Sequence, residues 1–315
     1  MASLRIAYFG TPDFAVPGLQ ALIASHHRVV VLVSQPDRPK GRGQKLQPTP
    51  TRVIAESAGV PVLQPARLKD ETFVAALRAL DLDLGVVAAY GRIIPDAVLA
   101  IPRLGLINIH ASLLPLWRGA APVHRAVING DADTGVTIMR VVTELDAGAV
   151  FAEARRAIGP EETTPEVERA LAALGARLVV DVADSLAAGA AIETPQDDSR
   201  ATYAHKIERH EGAIDWTLPS RRIHDLVRGL QPWPLVSAQL GGVRCLVHRT
   251  GITDETTDAR PGTIAQAASG VIAVACGDGR LLRILQLQPE GRRPMSARDF
   301  LAGRRVEIGA AIAVP

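Results

Sequence analysis

Short apolar runs, continuous rather than alternating, recur through the first part of the chain at residues 4–9, 29–34, 60–63, 84–89 and 106–110. Such runs mark strands buried on both faces, as in a parallel sheet. Segments with a helical apolar period lie between them at 14–24, 51–58 and 70–79, the last with an acidic first turn. This β–α alternation predicts an α/β fold, a Rossmann-like, doubly wound, mostly parallel sheet. Residues 134–142 and 150–157 read as two further strands joined across TELDAGA, which puts Asp146 in a turn. Residues 164–188 read as one Ala/Leu-rich helix, with Pro165 tolerated in its first turn.

The periodicity fails after 188 and the texture changes. Residues 189–205 read as a linker. Beyond them, stretches such as VSAQLGGVRCLVHRT and GVIAVACGDGRLLRILQLQP give short strands punctuated by glycine, which predicts a small OB-like β-barrel. The expected division is therefore 1–188, a linker 189–205, and 206–315.

Composition sharpens this picture in two places. A net charge of +2 says nothing about partners, but it is unevenly spread. Residues 1–205 carry 20 Lys/Arg against 22 Asp/Glu, and residues 206–315 carry 15 against 11, so the last third is the basic part. The two cysteines, Cys245 and Cys276, are too far apart for a C-x-x-C and have no histidine cluster beside them. Neither a disulfide framework nor a zinc site is expected, and a reducing compartment fits. No signal-like or membrane-length apolar run is found, so a cytoplasmic protein is expected.

The richest stretch for chemistry is LGLINIHASLLPLWRGAAP, residues 104–122. Asn108 and His110 sit two apart at the end of a strand-like run, so both side chains share a face at a strand's C-terminal edge. An amide donor beside a titratable ring, with the Asp146 carboxylate in reach, suits acyl transfer: one group holds an oxyanion and another moves a proton. A hydrogen-bonded strand end is the plainer reading. SLLPLWRG, residues 112–119, is a tight apolar bend that fits either core packing or a wall for a flat heterocycle. The long loop at 35–50 carries Arg38, Lys40, Arg42 and Lys45 against Asp37 alone. It reads as a solvated loop or as a basic arm for a phosphate backbone. FGTPDFA lacks the G-x-G-x-x-G of a dinucleotide site, and Asp13 reads as a helix cap. His124, His224 and His248 fall in regular patterns and read as structural.

These stretches together resemble the methionyl-tRNA formyltransferase family across nearly the whole chain. The resemblance runs through GTPDFAVPGL, VSQPDRPKGRGQKLQPTP, VVAAYGRIIP, NIHASLLPLWRGAAPVHRAVINGD, GVTIM, ATYAHKIERHEGAIDW and PWP. It implies a formyltransferase domain followed by a tRNA-binding barrel, with 10-formyltetrahydrofolate as formyl donor and initiator methionyl-tRNA as acceptor. Asn108, His110 and Asp146 would carry the chemistry, and Ser112, Leu113, Leu114 and Pro115 would contact the folate. Arg38, Lys40, Arg42 and Lys45 would contact the tRNA, and a monomer without metal is expected. Three positions depart from the family pattern: Leu116 replaces a basic residue, and Glu144 and Ala147 alter the turn that bears Asp146.

Overall fold

The structure is a computed structural model that describes residues 2–40 and 45–312. The apolar runs become β1 (Arg5–Gly10), β2 (Arg28–Val33), β5 (Val62–Leu63), β6 (Leu84–Ala88) and β7 (Leu106–His110). The short antiparallel pair β3 (Arg38–Lys40) and β4 (Lys45–Gln47) falls between β2 and β5. There follow β8 (Arg118–Gly119), β9 (Asp133–Arg140) and β10 (Val150–Ala157). The central sheet has the order β10-β9-β7-β6-β1-β2-β5. It is parallel from β5 to β7, while β9 runs antiparallel to β7 and β10 antiparallel to β9. The order reverses at β1, the topology that opens a crevice at the strands' C-terminal ends.

Helices Val16–Ala24, Pro50–Ser57, Glu71–Arg78, Asp96–Leu99, Pro122–Asn129 and Thr164–Ala187 connect or flank the strands. Pro50–Ser57 shows why they start where they do: the Thr49 hydroxyl accepts the Arg52 N–H, and Pro50 needs no partner at the first helical position. Against the sheet, Phe9 and Tyr90 meet edge to face at 5.8 Å within a core that includes Val33, Leu77 and Leu106. Gly85 lets β6 approach β7, because a Cβ there would lie 2.5 Å from Leu106 Cγ.

The chain divides into two compact units, and the division is not a single cut. One unit takes Met1–Pro122, Asp133–Ala157 and Glu168–Ala204; the other takes Val123–Ala132, Ile158–Val167 and His205–Pro315. Polar bonds explain why the two short segments join the second unit. His224 is held between Thr250 Oγ1 (2.9 Å) and the Pro160 carbonyl (3.0 Å), and Arg228 donates to the Glu162 carbonyl (3.0 Å). Arg222 likewise donates to the Asn129 carbonyl at 2.7 Å. Nor are residues 189–204 a free linker: β11 (Tyr203–Ala204) pairs in parallel with β8. Their lost periodicity reflects an extended strap held by side-chain and strand bonds, which no helical or alternating pattern announces.

The second unit contains β12 (Val236–Leu240), β13 (Val243–Thr256), β14 (Ile264–Ala268), β15 (Val271–Ala275), β16 (Arg280–Pro289) and β17 (Met295–Ser296), with helices Ser220–Gly229 and Ala297–Gly303. Its antiparallel sheet has the order β12-β13-β16-β15-β14, with β17 on β16. The expected closed barrel is not found. Among the described residues β12 and β14 do not pair; instead Ala213 bridges Ser237 on one edge, and Ala311 bridges Thr263 beside the other. Short flanking segments cap the edges that a barrel would join to each other. Burial pushes the Cys245 thiol up to about 11 and the Cys276 thiol, next to Asp278 as well, up to about 12, so both stay protonated at neutral pH. No helix among the described residues is long and apolar enough to cross a membrane.

Candidate active site

Strand β7 ends at His110, and alternation puts Asn108 on the same face. Asn108 is half-buried, and among the described residues its amide has no hydrogen-bond partner, so both its donor and its acceptor remain available. His110 is buried, its Nε2 3.1 Å from the Trp117 carbonyl and its Nδ1 3.7 Å from Asp146 Oδ2. A carbonyl can only accept, so Nε2 carries a proton and Nδ1 faces Asp146. At 3.7 Å the carboxylate is beyond a direct hydrogen bond and acts on the ring through its charge.

The turn between β9 and β10 delivers Asp146 in a left-handed conformation, φ 48°. Asp146 Oδ2 accepts the Gly119 N–H at 2.8 Å, which joins the turn to the loop after β7. The turn closes at Gly148, where a Cβ would lie 1.9 Å from the Arg140 carbonyl oxygen. Glu144 is exposed and Ala147 half-buried, so the two departures leave the Asp146 turn formed. Leu116 points out, 37% exposed, and its carbonyl accepts the Ser112 hydroxyl at 2.6 Å.

The loop after β7 uses most of its side chains on itself. Ser112, Leu113 and Leu114 are buried, while Pro115 is half-buried. Two of its bonds go to Thr137 on β9: Thr137 Oγ1 donates to the Ser112 carbonyl (2.8 Å) and accepts the Leu114 N–H (3.1 Å). The strap at 189–204 completes the frame. Gln196 Nε2 donates to the carbonyls of Asp146 (2.9 Å) and Gly148 (2.7 Å), while its Oε1 accepts Nε and Nη2 of buried Arg118 (3.1 and 2.8 Å). Arg118 also reaches Asp198 at 2.6 Å, and the Trp117 N–H reaches Thr202 Oγ1 at 2.8 Å. One glutamine side chain thus fixes both the carboxylate turn and the WRG loop.

Asn108, His110 and Asp146 therefore come together. The basic residues form a separate group: Arg38 and Lys40 fall on β3 and Lys45 on β4, and Arg42 lies outside the described residues. Arg38 donates to Gln35 Oε1 at 3.1 Å, and the root of the segment is tied down by Arg52 on Asp37 at 2.6 Å. Thr137 and Gln196 were missed from sequence. A hydroxyl inside the apolar strand GVTIM was a signal for the first; nothing in the aperiodic segment marked the second. Among the described residues one group has metal-ligand character, His26, His27 and Asp184. There the Leu4 N–H donates to His27 Nδ1 at 3.2 Å, so the ring's proton sits on Nε2, facing Asp184 Oδ1 at 2.9 Å, and no lone pair is left for a metal.

A strand-end amide, an imidazole and a carboxylate beside a braced loop form a candidate group-transfer site on a mostly parallel α/β sheet. Residues 4–183 match the family described as "Formyl transferase" and residues 206–305 its C-terminal domain, and the chain belongs to this family. Its relatives include the methionyl-tRNA formyltransferases of Methylococcus capsulatus, 46% identical over 96% of this chain and 99% of that one, and of Geobacter metallireducens, 45% identical over 98% of each. Among solved structures, HypX from Aquifex aeolicus in complex with tetrahydrofolic acid aligns with a TM-score of 0.64 at 16% identity, over 95% of this chain and 47% of that one. The sugar 3N-formyl transferase WlaRD aligns with a TM-score of 0.69 at 15% identity, over 93% of this chain and all of that one. These distant likenesses show the fold alone.

Proposed function

We propose that the chain transfers the formyl group of 10-formyltetrahydrofolate to the α-amino group of methionine on initiator tRNA, giving N-formylmethionyl-tRNA for translation initiation. The observation that carries this reading is end-to-end identity of 45–46% with enzymes of that name, against 15% for the sugar formyl transferase.

The neutral amine attacks the formyl carbon, a C–N bond forms, and the carbonyl oxygen becomes an oxyanion. Asn108, with its amide free, donates to that oxygen. Collapse breaks the bond to N10 of the folate, and one proton passes in net from the amine to N10. Asp146 takes the amine proton on the carboxylate oxygen that Gly119 leaves free. His110 accepts that proton from Asp146 through Nδ1 and hands it on toward N10. The donor's flat ring would lie against exposed apolar side chains of the flanking loops, Leu116 after β7 and Leu145 beside Asp146. Because Ser112, Leu113 and Leu114 are buried, that segment would meet the folate through its backbone and Pro115.

The second unit, read as a curled, OB-like sheet, would hold the tRNA, and Arg38, Lys40, Arg42 and Lys45 would add phosphate contacts. The three register shifts along β13 against β16 supply the bends such curling needs. The enzyme is read as a cytoplasmic monomer. Labelled formyl donor offered to the full chain with methionyl-tRNA, free methionine and an amino sugar tests the reading. Label should appear on methionyl-tRNA; label only on the sugar, or on none of the three, would overturn it.

A further inference from the structure

We propose that the second unit carries a cleft for one unpaired RNA nucleotide, its base stacked on Trp233 and its phosphate held by Arg209 and Arg244. The proposal rests on the reading of this unit as the part that holds tRNA, and adds the site within it.

The chain is poor in aromatics, with three Trp, three Tyr and five Phe. Trp216 is buried in the unit's core, yet Trp233 is 53% exposed. Its ring lines a cleft of about 510 Å³ together with Arg209, His210, Pro234, Arg244 and Leu246. That size is ordinary for a small-molecule pocket.

The walls are built rather than incidental. The turn Arg209–Gly212 is closed by a bond from the Glu208 N–H to Glu211 Oε1 at 2.7 Å, and Arg125 grips Glu211 with two bonds of 2.5 and 3.1 Å. Burial pushes the Glu211 carboxyl up, but Arg125 and the Glu208 N–H outweigh it and hold it below the ordinary value. Gly212 lets this turn lie against the next wall, because a Cβ there would come within 2.4 Å of the Leu235 carbonyl oxygen. The bridge from Ala213 to Ser237 fixes the same approach.

Charge selects the occupant. Among the described residues no carboxylate lines the cleft; Glu211 is engaged with Arg125, and Glu208 Oε2 lies 3.1 Å from His210 Nδ1. Arg209 and Arg244 are exposed, and among the described residues neither guanidinium has an ion-pair or hydrogen-bond partner. A flat apolar face in one cleft with two uncommitted cations complements a base joined to a phosphate. Stacking of this kind tolerates any base, so the cleft would grip an unpaired segment without reading its sequence.

The test is equilibrium binding of unacylated initiator tRNA to the full chain across a salt series. Trp233→Ala should weaken binding by about 5- to 150-fold, the range for one base–aromatic stack. Trp233→Phe, which keeps an aromatic face, should recover most of the loss. Arg209→Ala with Arg244→Ala should together lower the salt slope by about 0.7, as for one single-strand phosphate. If Trp233→Ala lowers the thermal midpoint, the exposed double-arginine variant decides alone. Wild-type affinity and slope in the variants would overturn the cleft while leaving the reading of the unit intact; such a cleft would belong to a protein partner instead. A wild-type chain that binds tRNA with no salt dependence would remove the reading itself.

Discussion

The polar groups around Asn108 and those around Trp233 are held in opposite ways. In the first unit nearly every polar atom beside the reacting groups has a protein partner: His110 on the Trp117 carbonyl, Asp146 on the Gly119 N–H, and Arg118 on Gln196 and Asp198. Asn108 is the group left open. In the second unit the scaffold around Trp233 is just as firmly tied, through Arg125 and Glu211, but Arg209 and Arg244 beside that ring have no partner among the described residues. Groups that move a proton must not reorganise during the reaction, so their neighbours hold them, while the amide that would meet the oxyanion is kept open for substrate. Groups that capture a polyanion gain by shedding counterions, so they are left exposed and uncommitted.

The comparison predicts sharply different responses to substitution. The largest effect should come from the pair proposed to handle the proton. His110→Asn and Asp146→Asn should each lower kcat by a factor on the order of 10²–10⁴, the span of general acid–base contributions. The double variant should be scarcely worse than the worse single one, since groups acting as a unit are strongly non-additive. Penalties that multiply would separate the two roles.

Gln196→Glu comes next. A carboxylate can still accept from Arg118 but can no longer donate to the carbonyls of Asp146 and Gly148, so the turn should lose its register. A misplacement of that kind costs up to about 100-fold. The loss should fall on kcat rather than on the KM for methionyl-tRNA, with Gln196→Asn, which keeps the donor, less impaired than Gln196→Glu. A rise in KM alone would make the strap a substrate contact and not a brace.

Legibility from sequence follows the same divide. The parallel strands were plain because burial on both faces leaves continuous apolar runs, and Asn108 and His110 were visible because strand alternation is fixed by the backbone. Asp146 stood out only beside them, since an aspartate in a turn is commonplace. Gln196 was invisible: its four bonds join segments far apart in sequence, and no local pattern encodes such a partnership. The joining of 123–132 and 158–167 to the second unit rests likewise on the bonds of His224, Arg222 and Arg228. Closure of the C-terminal sheet could not be read either, because short glycine-punctuated strands do not reveal which edges meet.

The smallest expected effect is on stability. Glu211 has its pKa depressed in the folded chain, so its contribution is fully present above the ordinary glutamate value, about 4.3. It is lost as pH falls through the lower, folded value. Thermal midpoints of wild type and Glu211→Gln should therefore differ at pH 7 and converge on acidification. A gap that stays constant to the lowest pH would mean that Glu211 acts through packing rather than charge.

The most direct test of the central claim is single-turnover formyl transfer by Asn108→Ala at saturating methionyl-tRNA and formyl donor, read beside its tRNA affinity. Losing the one oxyanion donor should slow the chemical step by about 10²–10³ and leave the Kd for tRNA within about twofold of wild type. A folded variant that transfers formyl at the wild-type rate, or one that loses tRNA affinity instead, would contradict the assignment of the chemistry to Asn108 and the first unit.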